Sequence, residues 1–213
     1  MDRPTPTTVY HFTHVNNIAS IAANGLGCDA NVAALSTSVP PTAIAHQHIK
    51  DRRKGTMVPV PPGGRVSDYV PFYFAPRSPM LYAIHMGGVE SYDGGQDPVV
   101  YLASDVDRLM SLGLQVVATD RNAVLSYAEF RSTKAGYDDL IDWHLMRQTM
   151  WNNTVQEPDR KERRMAECLV HNHVPWAALT GIHVRTRQRR DQVEGILADV
   201  DSPPVTVSPS MYF

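Results

Sequence analysis

Three groups of residues in this chain carry chemistry that their surroundings do not require. Glu167 lies in Met165-Ala166-Glu167-Cys168-Leu169-Val170. A carboxylate inside an apolar, strand-like run is costly to bury unless it is paired or used. A solvent-facing edge position and a functional acid both fit that pattern. His11 lies in Val9-Tyr10-His11-Phe12. On a strand it points away from its aromatic neighbours, as either a hydrogen-bonded structural histidine or a ligand-binding one. Arg52 and Arg53 stand in Lys50-Asp51-Arg52-Arg53-Lys54. Such a run is ordinarily a solvated helix face, but guanidinium donors also match the paired oxygens of phosphate and pyrophosphate.

Other spacings narrow the choice. His46/His48 and His171/His173 are His-x-His pairs without a third ligand at a recognisable spacing, so no metal is expected. The pairs Gly87-Gly88 and Gly94-Gly95 match neither a dinucleotide fingerprint nor a Walker loop. No nucleophile elbow or zinc-protease motif occurs. Cys28 and Cys168 are too few for a disulfide framework or a four-cysteine zinc site, which points to a reducing, cytoplasmic setting.

The elements that must position these groups are short and mixed. Thr7–Phe12 reads as a strand, Thr13–Asn24 as a helix closed by Gly25 and Gly27. A weaker helix opens at Ser36–Pro41, passes Ile44, His48 and Ile49, and runs into the basic cluster. Pro59, Pro61, Pro62, Gly63 and Gly64 form a loop that no helix crosses. Tyr69–Phe74 is strand-like, and Pro71 within it predicts a sheet edge or bulge. Ser78-Pro79 caps a short helix through Leu81 and Ile84. Further strands are expected at Val99–Leu102, Leu114–Ala118, Ala166–Val170, Ile182–Arg185 and Val205–Val207. Helices are expected at Asp105–Leu112, Tyr137–Trp151 and Gln192–Val200. That mixture is α+β.

At 213 residues the chain suits one domain of roughly 150 residues with additions. No stretch approaches the roughly 20 apolar residues of a membrane span, and the start lacks the features of a signal peptide. Twenty Lys and Arg against 22 Asp and Glu give a net charge of -2, which excludes a bulk-basic coat for nucleic acid. The charge is segregated, however. Lys50–Lys54 and Arg160–Arg164 each hold +3 and Arg185–Arg190 holds +4, leaving -12 for the rest. At least the first two clusters are expected to line a channel for phosphate ligands.

Four segments occur in a telling order: Tyr10-His11-Phe12-Thr13-His14, the long run Asp68-Tyr69-Val70-Pro71-Phe72-Tyr73-Phe74-Ala75-Pro76-Arg77-Ser78-Pro79-Met80-Leu81, Thr119-Asp120-Arg121, and Ala166-Glu167-Cys168-Leu169. Together they resemble the DarT family, DNA ADP-ribosyltransferase toxins of the DarT–DarG toxin–antitoxin system, in the branch that modifies thymidine. The similarity runs from about Thr7 to Phe213. It implies a compact α+β ADP-ribosyltransferase fold, a split mixed sheet surrounded by helices. It implies a single domain over 1–213 with a substrate-recognition insertion at about 127–158. NAD+ would be a consumed co-substrate, with no recycled cofactor. ADP-ribose would pass to thymine N3 in single-stranded DNA within a short motif, and a DarG-type macrodomain antitoxin would be the partner.

The resemblance also carries roles onto matching residues. His11, with Thr13, would bind NAD+, and Glu167 would be catalytic. The arginine before the Pro/Gly loop would be catalytic too, binding pyrophosphate or stabilising the transition state. Counting back from Gly63-Gly64 favours Arg53 over Arg52 for it. On chemical grounds Tyr73, or another aromatic of the Tyr69–Phe74 strand, would stack on nicotinamide. DNA contacts would come from Arg121, Asn122, Arg52 and Trp151, core packing being the alternative for Trp143 and Trp151. Many relatives have a histidine where this chain has Asn122, and an amide cannot become cationic. An enzyme of the same fold acting on RNA or protein, and a non-catalytic NAD+ or nucleic-acid binding module, remain open at this point.

Overall fold

The strands in chain order are β1 (Thr8–His14), β2 (Leu26–Gly27), β3 (Tyr69–Tyr73), β4 (Val99–Asp105), β5 (Val116–Thr119), β6 (Phe130–Arg131), β7 (Glu167–His171), β8 (His173–Val174), β9 (Gly181–Val184) and β10 (Val205–Val207). The computed structural model describes residues 2–32, 42–44, 47–90 and 92–213. One sheet has the order β10-β9-β4-β1-β3-β7-β5-β6, and β2 and β8 form a separate pair. β10 runs parallel to β9 and the other neighbours are antiparallel, so the sheet is mixed.

The sheet splits between β1 and β3. β1 pairs with β4 along its whole length, from Thr8 opposite Asp105 to His14 opposite Val99. On its other side it meets β3 only at Tyr10 opposite Tyr73. β3 in turn pairs fully with β7, from Tyr69 opposite His171 to Tyr73 opposite Glu167. Pro71 therefore lies in an interior strand, not on an outer edge or bulge. Its carbonyl accepts from His11 Nδ1 across the split at 2.8 Å. Backbone N and C=O of one strand residue face the same side, so the missing N–H of Pro71 faces the opening and costs the β7 ladder nothing.

Strand alternation distributes the core. Val9, Phe72, Val100, Leu102 and Val170 join the largest buried cluster. Tyr10, Phe12, Val99 and Tyr101 belong to a second one. The helices cover these faces: α1 (Ile18–Asn24), α2 (Gln47–Gly55), α3 (Pro79–His85), α4 (Val106–Ser111), α5 (Tyr137–Leu140), α6 (Trp143–Met146), α7 (Arg160–Arg163) and α8 (Arg187–Ile196). Ser78 caps α3 by accepting from Leu81 N, with Pro79 in the first turn.

Three helix boundaries differ from the pattern reading. β1 continues through His14, whose Nδ1 accepts from Asn16 N and starts a 3-10 turn, so α1 begins only at Ile18. The expected helix Tyr137–Trp151 is broken into α5 and α6. Ile141 is extended at φ -94° and ψ 130°, and Asp142 then caps Leu145 N. α8 starts at Arg187 because Thr186 caps Arg189 N. The expected helix opening at Ser36–Pro41, and His46, lie outside the described residues; α2 contains the basic cluster.

Candidate active site

The opening between β1 and β3 leads into a cavity of about 770 Å³, within the usual range for small-molecule sites. Its walls bring together His11, Thr13, Arg53, Tyr73, Asn122 and Glu167, which are far apart in the chain. β1 supplies the first two, β3 supplies Tyr73, β7 begins with Glu167, and α2 carries Arg53.

Glu167 is 2% exposed. Its Oε2 accepts from Ala123 N at 2.7 Å, and its Oε1 lies 3.4 Å from Arg53 Nη1. Its own N–H donates to Thr119 Oγ1 at 3.1 Å. Burial pushes its carboxyl above the ordinary value, against the opposing pull of Arg53 and the Ala123 N–H. The apolar run around it therefore hides a paired acid, not an exposed edge residue.

Arg53 explains how that acid is held. Its Nε donates to Asp29 Oδ2 at 2.9 Å, and its Nη2 donates to the carbonyls of Val66 and Tyr69 at 3.1 and 3.0 Å. One buried guanidinium thus joins two carboxylates to the backbone at the entry to β3, from Val66 to its first residue, Tyr69. Arg52 points elsewhere, donating to Val124 O at 2.9 Å from an exposed position. Arg53 is the arginine that faces the cavity.

His11 donates its Nδ1 proton to Pro71, which leaves Nε2 as the acceptor nitrogen of the neutral ring. Burial pulls its pKa below the ordinary imidazole value. Thr13 Oγ1 accepts from Asn17 Nδ2 at 3.0 Å. Tyr73 stacks on Phe12 with centroids 5.9 Å apart, and burial raises its phenol pKa, so the hydroxyl stays protonated. Asn122 is buried and its side-chain oxygen accepts from Val124 N at 3.1 Å. Among the described residues no group of three or more His, Cys, Asp or Glu side chains is arranged to hold a metal.

A family model described as "ssDNA thymidine ADP-ribosyltransferase, DarT" matches residues 10–213. A DNA ADP-ribosyl transferase from Thermus sp. (strain 2.9) is 38% identical over 214 residues, covering 99% of this chain and 98% of that protein. The structure of Thermus sp. 2.9 DarT in complex with ADP-ribosylated ssDNA superposes with a TM-score of 0.90 at 38% identity, over 100% of both chains. Its complex with NAD+ gives 0.87 at 35% identity over 99% of both. The chain belongs to the DarT family. It is a DNA ADP-ribosyltransferase with NAD+ as co-substrate, and it has the α+β split mixed sheet expected of DarT.

Not every residue expected to serve this DarT-family enzyme faces the cavity. Trp151 is 5% exposed, its indole N–H donates to Arg77 O at 2.8 Å, and its ring packs edge-on against Tyr82 and Phe213. The ring is packed in the core, the alternative reading, and does not line the cavity. Trp143 is likewise buried, donating to Tyr137 O. Arg121 is paired with Asp120 at 2.6 Å and Glu162 at 3.5 Å, and covers the Tyr127 ring. It braces the 120s loop that presents Asn122 and the Ala123 N–H.

The basic clusters also divide. Arg160 and Arg163 pair with Glu157, Asp142 and Asp159. Arg164 is 2% exposed and donates to the carbonyls of Leu145, Met146 and Pro76. Only Lys161 of that cluster reaches the cavity, together with Lys50 and Arg53 from the first. No ion pair engages Lys50 or Lys161 among the described residues. The third cluster, on α8, has no residue in the cavity wall, so the expected channel of clustered charge reduces to three cations. Lys50 and Lys161 are the members of the two expected clusters that reach the cavity, while the sequence reading missed Ala123, Thr119 and Asp29. A backbone donor and isolated residues leave no motif, although Thr119 stood within the quoted Thr-Asp-Arg run.

Proposed function

We propose that the chain transfers ADP-ribose from NAD+ to N3 of a thymine in single-stranded DNA, within a short sequence motif. The carrying observation is a buried Glu167 fixed from both sides, by Ala123 N–H and Arg53, on the wall of a cavity that also holds His11, Thr13 and Tyr73. Breaking the nicotinamide–ribose bond builds positive charge on the ribose, and a fixed carboxylate stabilises that charge as it develops. Arg53 has four of its five N–H donors engaged, by Asp29, Glu167, Val66 and Tyr69. It positions the acid, and Lys50 and Lys161 remain for phosphates. His11 orients the NAD+ ribose or nicotinamide, and Tyr73 offers it an aromatic wall.

Thymine N3 lies on the Watson–Crick edge, so a single strand with the base turned into the pocket is required. Asn122 meets that base with an amide hydrogen bond. The segment 127–158, anchored by Phe130, Tyr137, Trp143 and Trp151, frames the DNA entrance. A DarG-type macrodomain antitoxin restrains the activity, in the cytoplasm; no helix among the described residues is long and apolar enough to cross a membrane. Labelled NAD+ offered with DNA, RNA and protein acceptors tests the reading. Label on thymidine-containing oligonucleotides, with a mass gain of one ADP-ribose, is the expected result. Label on RNA or protein alone, or binding without nicotinamide release, refutes it.

A further inference from the structure

The transfer reaction needs two services from the protein that differ in kind. One is negative charge beside the ribosyl cation. The other is an acceptor for the N3 proton. Glu167 suits the first, and both of its oxygens are already engaged, one by Ala123 N–H and one toward Arg53. A second carboxylate faces the same cavity. Asp29 is held by Arg53 Nε through Oδ2 alone, its side chain retains 25% exposure, and Oδ1 has no hydrogen bond among the described residues. Both carboxyl groups meet the same guanidinium, Asp29 at Nε over 2.9 Å and Glu167 at Nη1 over 3.4 Å, so the two acids are close neighbours in the cavity wall.

Resting on the DNA-modifying reading above, we infer that Asp29 is the general base that takes the thymine N3 proton. The electron pair of the breaking C1′–N bond leaves with neutral nicotinamide. The pair of the N3–H bond becomes the new C1′–N3 bond, and the proton passes to Asp29 Oδ1, which returns it to water when product leaves. The other groups facing Asp29 fit this less well. Arg53 has no free lone pair to accept a proton. Protonating His11 would set an imidazolium near Arg53 and the ribosyl cation, and burial already opposes that charge. Glu167 is committed to the cation.

Two variants test the assignment, with an oligonucleotide as acceptor. Asp29→Asn keeps an oxygen for Arg53 Nε and removes the base. Transfer is expected to fall by about 10²- to 10⁴-fold with NAD+ affinity unchanged within about twofold, and the residual rate should rise with pH as hydroxide takes over. Asp29→Ala opens space for a small acid, and added formate should restore part of its rate. Transfer within threefold of wild type would overturn the assignment. So would a loss that tracks NAD+ affinity, or a flat pH profile without formate rescue, either of which leaves Asp29 only as the holder of Arg53. Imidazole rescue of His11→Ala, with none by formate in Asp29→Ala, would move the role to His11. Wild-type protein that labels no DNA overturns the DNA-modifying reading itself, a result distinct from any of these.

Discussion

Glu167→Gln isolates the contribution of one charge. The amide has almost the same volume, its oxygen still accepts from Ala123 N–H, and its position opposite Tyr73 is unchanged. What disappears is the negative charge near the ribose, together with the acceptor facing Arg53 Nη1 at 3.4 Å. A unit charge about 4 Å from the developing cation, at an effective dielectric of about 20, is worth about 4 kcal/mol. That sets the upper bound, about a thousandfold in rate. Bound NAD+ already carries positive charge on its nicotinamide ring, so part of the attraction exists before reaction. Only the share that grows as charge moves to the ribose accelerates the step. Taking about half gives ~2 kcal/mol, or about 30-fold. The expected loss in kcat therefore lies between about 30- and 1000-fold, with NAD+ affinity weakened by less than that. Mass spectrometry of a thymidine-containing oligonucleotide at saturating NAD+ measures kcat, and a binding titration measures affinity. A change in kcat below threefold, or a loss confined to NAD+ affinity, would refute the charge argument.

Arg53→Ala leaves Glu167 buried without its counter-charge, so urea unfolding should show a loss of about 3–5 kcal/mol; a loss under about 1 kcal/mol would mean the pair is not structural. Lys161→Ala should lower the slope of log affinity for single-stranded DNA against log salt by about 0.7, read by fluorescence anisotropy. Arg160→Ala, whose charge is tied to Glu157 at 2.6 Å, should leave the slope unchanged. Trp151→Ala should cost about 3–5 kcal/mol of stability while the folded fraction binds DNA as before; a selective loss of DNA affinity would restore the stacking role. Stability should fall on acidification. His11 and His183 titrate below the ordinary 6.5 because burial disfavours their charged forms. The unfolded chain then binds protons first, so their contribution is full above pH 6.5 and is lost as pH falls through it toward the folded values. Glu167, shifted upward, acts in the opposite sense, so the urea midpoint is best compared at several pH values in Glu167→Gln. A midpoint that rises on acidification there would contradict the assignment.

Several features of this molecule are written locally and were legible for that reason. Ser78-Pro79 states its own helix start, and the alternation of Val9, Tyr10, His11 and Phe12 states a strand with the histidine opposite two aromatics. Glu167 stood out because its neighbours are apolar. The long Asp68–Leu81 segment carried the family. Other features depend on partners distant in the chain. Pro71 reads as an edge residue by local rules, and only the split between β1 and β3 places its missing N–H at an opening inside the sheet. The break at Ile141 is invisible to periodicity, because Asp142 gains more by capping the next turn than by continuing the last. Asp29 joins the site through Arg53, 24 positions away, and no spacing rule links a loop acid to a helix arginine.

The arginines show why counting charge along a chain overstates a phosphate channel. Arg160–Arg164 holds +3 in sequence, but Arg160 and Arg163 bind carboxylates beside them and Arg164 is buried among three carbonyls. Burial lowers the Arg164 pKa to about 10, which leaves it charged at neutral pH and its charge spent on Pro76, Leu145 and Met146 instead of a ligand. These residues tie α6 and the turn after β3 to the start of β7, and so fix Glu167 in register with Tyr73. The cluster next to Glu167 serves the fold chiefly by holding that carboxylate still. Of that cluster Lys161 alone, exposed and without an ion pair among the described residues, keeps its charge for the cavity.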